Sequence, residues 1–360
     1  MAAQIEYLDD YNYRTGASWR TGRDPGRGGG LGGITDKEKC VRTFKSIFAI
    51  ALAAISLQAF AQNYPVRPVR AIIAFPAGSG TDVIGRIVTQ KVSEYWGQQV
   101  VADNRGGAGG SIASAIVAKA SPDGYTLLIN SSAHAVNPSF YAKLPYDTLK
   151  DFIDIGLIAI QANVLIVPNG APFKSLQDFL KAARAKPGSL NFAFAGVGSG
   201  THLNNVKFAM DANARFTDVA YKGSGEAILD IIGGRVDAYF TPISAGIGYI
   251  QGGKVRALAI STAKRSAQLP SVPTIAESGV PGFDYALWFG LWAPAGTPAG
   301  VVGKISKDFT RALEDKPTLD KATTLGNEFN IMTPPVFAGF VRQQIQEFAK
   351  VVKAAGITPQ

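Results

Sequence analysis

A unit made of a buried strand, a glycine-rich loop and a helix occurs twice in this chain, and it constrains the fold more than any other feature. In the first copy an apolar run at residues 69–75 precedes the loop at residues 76–82 and an amphipathic helical pattern. In the second copy an apolar run at residues 190–194 precedes the loop at residues 195–202. Alternating strands and helices indicate βαβ units and largely parallel sheets. The wide separation of the two copies predicts two similar α/β lobes and excludes a short-period solenoid.

The rest of the pattern agrees with this organisation. Further strands are predicted at residues 100–101, 125–129, 164–167, 219–221, 236–240, 256–261 and 288–292. Further helices are predicted to begin at Ser111, Ser175, Glu226, Ala299, Pro317 and Pro334.

The segment 41–61 is predicted to be a signal peptide. Arg42 and Lys45 precede an apolar stretch of 11 residues, and Ala-Phe-Ala at residues 59–61 supplies a small-x-small cleavage signature. The apolar stretch is too short to span a membrane, and the basic flank favours export over the alternative of a buried core helix. We therefore expect cleavage near Ala61-Gln62 and a periplasmic location.

Residues 1–40 fit neither a signal peptide nor a domain. They contain a glycine-rich run at residues 26–33 and show no apolar periodicity. We interpret them as a non-native or disordered extension, with translation starting at Val41.

The composition of the chain from Gln62 onward excludes several classes of protein. Its Lys and Arg residues number 28 against 21 Asp and Glu, and the only cysteine of the sequence, Cys40, is not in it. A chain without cysteine suits an oxidising compartment. No cluster of basic and aromatic residues suggests nucleic acid binding, so the positive charge predicts only a mild attraction for anions.

The two glycine-rich loops predict an anion-binding site. Each loop opens a helix, where the first backbone N–H groups have no intrahelical acceptor and the helix dipole is positive. Ser79, Thr81, Ser199 and Thr201 add hydroxyl donors to these backbone groups. A single such loop would be read as a tight turn, but two matching loops favour a carboxylate site.

Motifs for catalysis, nucleotides and metals are absent from the sequence. Neither loop matches the dinucleotide or P-loop pattern, and no G-x-S-x-G motif occurs. The two histidines, His134 and His202, are predicted to lie in or beside polar loops, where they either bind the ligand or brace the loop. We expect no metal site, no cofactor and no enzymatic activity.

Several other residues allow two interpretations. Asp82 is either a helix N-terminal charge or a ligand contact, and Lys222 is either a solvated lysine or a cation facing the ligand. Trp288 and Phe289 belong either to the core or to an aromatic wall of the site.

The motifs together resemble the Bug family, the substrate-binding components of tripartite tricarboxylate transporters. The resemblance covers essentially all of residues 63–360. The matching segments are residues 76–82, 104–110, 123–128, 196–202, 221–223, 273–279 and 288–298.

This resemblance implies a type II periplasmic binding protein fold, in which two α/β lobes close on a cleft like a Venus flytrap. Lobe 1 is expected at residues 63–166 plus 287–360, and lobe 2 at residues 167–286. The ligand implied is a small carboxylate held largely by backbone N–H groups and bridging waters. The segments that the resemblance places at the cleft are residues 77–82, 131–137, 198–202 and 221–223. Within them, and at Trp288 of a predicted strand, the site residues expected are Ala77, Gly78, Ser79, Gly80, Thr81, Asp82, Ser132, His134, Asn137, Gly198, Ser199, Thr201, His202, Tyr221, Lys222, Gly223 and Trp288.

The sequence departs from the family pattern at two places. Gly78-Ser79-Gly80 stands where a Gly-Gly pair is usual, which bears on the contacts to the carboxylate. Ala220 stands where proline is usual, which bears on strand geometry.

The function implied by the resemblance is capture of a carboxylate by a monomer and its delivery to membrane permease subunits. One alternative is an extracytoplasmic sensor that presents the loaded lobes to a sensor kinase. A less favoured alternative is an enzyme built on the same architecture.

Overall fold

The computed structural model describes residues 64–360. The predicted extension at residues 1–40 and the predicted signal peptide at residues 41–61 lie outside the described residues.

Strands and helices alternate along most of the described chain. The first elements are β1 (Val69–Ile73), α1 (Gly80–Trp96), β2 (Val100–Asn104), α2 (Ser111–Ala118), β3 (Thr126–Ser131), α3 (Ala133–Phe140), β4 (Phe152–Pro168), α4 (Leu176–Ala185), β5 (Asn191–Phe194) and α5 (Gly200–Asp211). The later elements are β6 (Thr217–Ala220), α6 (Ser224–Ile232), β7 (Ala238–Pro242), α7 (Ile243–Gln251), β8 (Val255–Ile260), β9 (Ala286–Pro294), α8 (Ala299–Glu314), α9 (Lys316–Thr324), β10 (Asn327–Glu328) and α10 (Pro334–Ala354).

The strands form two mixed sheets that share β4. The first sheet has the order β2-β1-β3-β9-β4, with β10 also on β4, and the second has the order β8-β4-β7-β5-β6. Only β1 to β3 and β5 to β7 form parallel pairs. The expectation of largely parallel sheets is therefore wrong, because β4 and β9 run antiparallel to each of their neighbours.

The chain passes between the two sheets within β4 and again at the start of β9. Residues up to Ala162 of β4 pair with β9, whereas Asn163 and those after it pair with β7 and β8. Ser261 joins the two crossings: its Oγ accepts from Asn163 N at 2.9 Å and donates to Tyr285 O at 2.7 Å. The crossings thus behave as one hydrogen-bonded unit.

Two helices and most of β4 were not predicted from the sequence. β4 begins at Phe152, twelve residues before the predicted strand. α3 contains Pro138 and α7 contains two glycines, and these residues lower helix propensity. Their helical structure depends on tertiary packing, because both helices bury most of the side chains on one face.

Burial follows the pattern expected of sheets covered on both faces. β1 and β3 are almost entirely inaccessible to solvent, and α1 lies close enough that Gly85 sits against Ile73 and Ile129. Among residues 64–360, no helix is both long and apolar enough to cross a membrane.

Candidate functional site

The tetrapeptide Gly-Ser-Gly-Thr occurs at the N-termini of both α1 and α5 and adopts the same backbone conformation in each. The first glycine has a positive φ in both copies, +78° at Gly78 and +75° at Gly198. The serine then takes an extended conformation, with φ −70° and ψ 161° at Ser79 and φ −73° and ψ 160° at Ser199. The repeated sequence therefore builds two equivalent loops, and the positive φ explains why each begins with glycine.

Each serine caps its helix. Ser79 Oγ accepts from Asp82 N at 3.3 Å, and Ser199 Oγ accepts from His202 N at 3.1 Å. Within the described chain, the N–H groups of the next two residues form no hydrogen bond in either copy: Gly80 and Thr81, and Gly200 and Thr201. These four donors remain available to an acceptor outside the chain.

A cavity lies between the two loops. Its volume is about 290 Å³ when the open solvent at its mouth is included. Residues of both sheets contribute to it: Phe75, Ser79, Gly80, Thr81, Ser131, Ala195, Ser199, Gly200, Thr201, Ser224, Pro242, Leu287 and Phe289. Six of these carry a hydroxyl group and none carries a charge.

The electrostatic character of the cavity comes from helix ends. Three helices begin at residues of its wall: α1 at Gly80, α5 at Gly200 and α6 at Ser224. A fourth helix, α7, begins directly after the wall residue Pro242. A helix N-terminus carries a partial positive charge of roughly half an elementary unit. Four such ends together with neutral hydroxyl donors favour an anion, while Phe75, Leu287 and Phe289 offer apolar contact to its carbon atoms.

Five of the residues expected in the site lie on this wall: Ser79, Gly80, Thr81, Ser199 and Thr201. Ala77 and Gly78 are exposed in the first loop. The remaining expected residues lie outside the lining, and most of them support the loops or the contact between the sheets.

Asp82 supports the first loop. Its carboxylate accepts from Gly78 N at 2.9 Å, Arg86 Nε at 2.7 Å and Asn104 Nδ2 at 2.8 Å. These three bonds leave Asp82 4% exposed and fix the conformation of the loop. They also pair the carboxylate charge with Arg86 and so limit its repulsion of an anion in the cavity.

His202 supports the second loop. Its Nδ1 accepts from Gly198 N at 3.3 Å, and its ring stacks on Phe194 at a centroid distance of 4.1 Å. Burial lowers the pKa of His202 to about 4, so the ring is neutral near pH 7 and can accept this bond.

His134 does not lie in a polar loop, and that expectation is wrong. It is part of α3, has no exposed surface and packs against Tyr146, Phe152 and Trp292. Burial lowers the pKa of His134 to about 3. The neighbours of His134 are these three aromatic rings and not the side chains of a polar loop, so His134 is a core residue.

The alternation of side chains along β9 decides which of its aromatic residues face the cavity. Leu287 and Phe289 line the cavity. Trp288 lies on the opposite face, where its Nε1 donates to Gln344 Oε1 at 3.0 Å and its ring packs on Phe337 of α10. Of the two aromatic residues left open by the sequence, Phe289 thus belongs to the cavity wall and Trp288 to the helix contact.

The segment 221–223 leads into α6. Tyr221 donates to Asp230 Oδ2 at 2.7 Å, and burial together with this bond raises the pKa of Tyr221 to about 12. Lys222 is exposed, and Gly223 packs on Pro76 of the first loop. The chain reaches the cavity at the next residue, Ser224.

Ser132 and Asn137 lie beside the cavity. Ser132 is the N-cap residue of α3, and Asn137 lies within the helix. Both are buried. Ser132 faces Gly200, since a Cβ added to that glycine would lie 2.5 Å from Ser132 Oγ. Asn137 binds the second loop at Gly198 O.

Five lining residues were not anticipated: Phe75, Ala195, Ser224, Pro242 and Leu287. Phe75 and Ala195 closely follow β1 and β5, and Pro242 ends β7. Ser224 begins α6 shortly after β6. Because ligands bind at the carboxyl ends of parallel strands in open α/β sheets, that position could have indicated them.

Among the described residues, no group of three or more His, Cys, Asp or Glu side chains could hold a metal ion. The donors around the cavity are hydroxyl and amide groups.

Known proteins share this sequence and architecture. A profile of the tripartite tricarboxylate transporter family receptor matches residues 84–357. The periplasmic binding protein BugD is 32% identical and superposes with a TM-score of 0.79 over 82% of this chain and all of that chain.

Two further structures contain small acids. A protein of Rhodopseudomonas palustris solved with adipate is 35% identical, with a TM-score of 0.80 over 82% of this chain and all of that one. MatC of Rhodopseudomonas palustris, solved with bound malate, is 32% identical, with a TM-score of 0.77 over 80% of this chain and all of that one. The predicted two-lobed fold and the resemblance drawn from the sequence are both confirmed. The chain therefore belongs to the tripartite tricarboxylate transporter receptor family, the Bug family of two-lobed periplasmic solute-binding proteins.

Proposed function

We propose that this chain binds a small organic carboxylate in the cavity between its two lobes and delivers it to membrane permease subunits. The observation that carries the proposal is the pair of equivalent Gly-Ser-Gly-Thr helix N-termini that face one uncharged, hydroxyl-lined cavity. The adipate and malate bound by two relatives support the same ligand class.

Binding in this proposal depends on donors that are already in place. A carboxylate receives hydrogen bonds from the free N–H groups of Gly80, Thr81, Gly200 and Thr201 and from the neighbouring hydroxyls. Hydrogen bonds to a charged group contribute about 1.5–3 kcal/mol each, so a few of them hold the ligand without Lys or Arg. Because the donors come from both lobes, the bound acid favours the arrangement in which the lobes touch.

A thermal-shift panel on residues 62–360 tests the ligand class. The panel contains malate, adipate, citrate, glutamate and benzoate, with adipamide as the uncharged match to adipate, glucose as a sugar and calcium chloride as a source of a cation. A ligand at 100 times its Kd stabilises by about 2.7 kcal/mol, which corresponds to roughly 5 °C. We expect at least one acid and not the diamide to give this shift. A shift with a sugar or a cation, and with none of the acids, would contradict the proposal.

Delivery is tested separately in the source bacterium. We expect that deleting the gene abolishes uptake of the acid that binds and that a plasmid copy restores uptake. Unchanged uptake after deletion would contradict the transport role and leave the ligand class standing. The periplasmic location of BugD supports the same location for this chain.

A further inference from the structure

The end of α3 binds the second Gly-Ser-Gly-Thr loop across the gap between the two sheets. Asn137 Nδ2 donates to Gly198 O at 3.0 Å and to Gly109 O, on its own side of the gap, at 3.2 Å. Tyr141, one residue past α3, donates from its hydroxyl to Val197 O at 2.9 Å. Two consecutive carbonyls of the loop are thus held by side chains of the opposite lobe.

The orientation of Asn137 is fixed by its partners. Only the NH₂ end of the amide can face two carbonyl oxygens, so Oδ1 points the other way and accepts from Tyr146 Oη at 3.0 Å. Asn137 has no exposed surface, and both of its amide hydrogens are used in these bonds. It therefore has no donor left for a ligand, and it is not part of the cavity wall.

The loop that these residues grip is the one that presents the free donors. Gly198 N is bound by His202 Nδ1, Gly198 O by Asn137, and Val197 O by Tyr141. The N–H groups of Gly200 and Thr201 therefore follow a loop segment that is fixed by hydrogen bonds from both lobes. A separation of the lobes would break the bonds from Asn137 and Tyr141, whereas the bond to His202 lies within one lobe and would remain.

We propose that Asn137 and Tyr141 form an interlobe latch that holds the lobes in contact and slows ligand release. They are positioning residues: they act on the loop of the opposite lobe and do not touch the ligand. This inference rests on the proposed function, since it assigns to the latch the residence time of the carboxylate.

The test compares Asn137→Ala and Tyr141→Phe with the wild-type chain, residues 62–360. Tyr249→Phe is the matched control, because this tyrosine lies on α7 and 37% of its surface is exposed. Association and dissociation rates are measured by stopped-flow tryptophan fluorescence with adipate or malate, whichever gives the larger thermal shift.

We expect dissociation to accelerate about 2- to 10-fold in each latch variant, the loss typical of one or two hydrogen bonds, while association stays within twofold. The control should match the wild type in both rates. A purely structural role would lower the urea midpoint of the ligand-free chain and leave the dissociation rate unchanged, and that result would overturn the latch.

Tyr146→Phe is a second variant that keeps the test valid if Asn137→Ala fails to fold. It removes the bond to Asn137 Oδ1 within lobe 1 and should accelerate dissociation less than Tyr141→Phe does. Dissociation rates equal to the wild type in both tyrosine variants would refute the latch.

A ligand-independent measurement separates failure of the latch from failure of the proposed function. If no acid binds the wild-type chain, the proposed function fails, and electron–electron spin distances between labels at Val101→Cys and Leu229→Cys test the latch alone. The absence of cysteine from residues 62–360 makes this labelling specific. We expect Asn137→Ala and Tyr141→Phe to lower the closed fraction, and equal fractions in all chains would refute the latch.

Discussion

Replacing Gly109 by alanine should separate ligand affinity from folding. Gly109 lies in the turn Ala108–Gly110, and a Cβ built on it would overlap Val197 O and lie 2.9 Å from both Gly198 C and Ser199 N. Real Cβ atoms essentially never approach other atoms within 3.0 Å. Because the opposing atoms belong to the backbone of the second loop, they cannot rotate away. The lobes must therefore separate by about 1 Å at this point.

The structure gives the size of the effect. A separation of about 1 Å lengthens the bonds from Asn137 to Gly198 O and from Tyr141 to Val197 O to about 4 Å, beyond hydrogen-bond distance. Two neutral hydrogen bonds contribute about 1–3 kcal/mol together, so the Kd should rise about 5- to 150-fold. Alanine at a φ of +57° costs a further 1–2 kcal/mol or so, but this strain is present with and without ligand.

Gly97→Ala provides the matched control for isothermal titration calorimetry. Gly97 has a φ of +61° and no atom within 4 Å of an added Cβ, so it carries the same strain without the contact. We expect both variants to melt at similarly lowered temperatures and only Gly109→Ala to lose affinity. Equal Kd values for the two variants would refute the reasoning.

Three further predictions concern the cavity wall, the crossings and pH. Gly200→Ala places a methyl group against the Leu287 and Ser132 side chains of the opposite lobe, so the Kd measured by calorimetry should rise about tenfold. The control Gly248→Ala adds a methyl group that meets no other atom and should leave the Kd unchanged. Equal Kd values for the two variants would contradict this close contact at Gly200. Ser261→Ala removes both side-chain bonds between the crossing strands, so urea unfolding should show a loss of about 1–3 kcal/mol, and a loss below 0.5 kcal/mol or so would contradict that role. Folding lowers the pKa of His134 to about 3 and that of His202 to about 4. Below about pH 6.5 the unfolded chain therefore binds more protons at these two histidines than the folded chain does. The free energy of unfolding should therefore decrease as the pH falls from about 6.5 towards 4, by up to about 1.4 kcal/mol per pH unit for each histidine. His202→Asn should halve the slope of the unfolding free energy against pH between about pH 6.5 and 5. An unchanged slope would contradict the lowered pKa of His202.

The sequence was sufficient to predict the two loops, because their signals are local. A buried strand, a glycine with a positive φ, a capping serine and an amphipathic helix are each encoded within a few residues, as at Gly78 and Ser79. The same signals recur at Gly198 and Ser199, and the two loops proved equal in backbone conformation.

The features that were missed depend on contacts between distant segments. α3 forms around Pro138, and His134 is buried because Phe152 and Trp292 fold over it from β4 and β9. The cavity-facing side of β9 depends on strand register, and a shift of one residue exchanges Phe289 and Trp288. Pairings of this kind leave no mark in the local sequence pattern. The bond from the Asn137 amide to the opposite loop likewise joins segments that are distant in the sequence, so the local pattern at Asn137 could not predict it.

A crystal structure of residues 62–360 with the acid that gives the largest thermal shift tests the central proposal most directly. We expect a carboxylate group between the lobes, within hydrogen-bond distance of N–H groups of Gly80, Thr81, Gly200 or Thr201 and of the surrounding hydroxyls, with no Lys or Arg side chain in contact. A carboxylate held by a Lys or Arg side chain, or bound away from the two Gly-Ser-Gly-Thr loops, would contradict it.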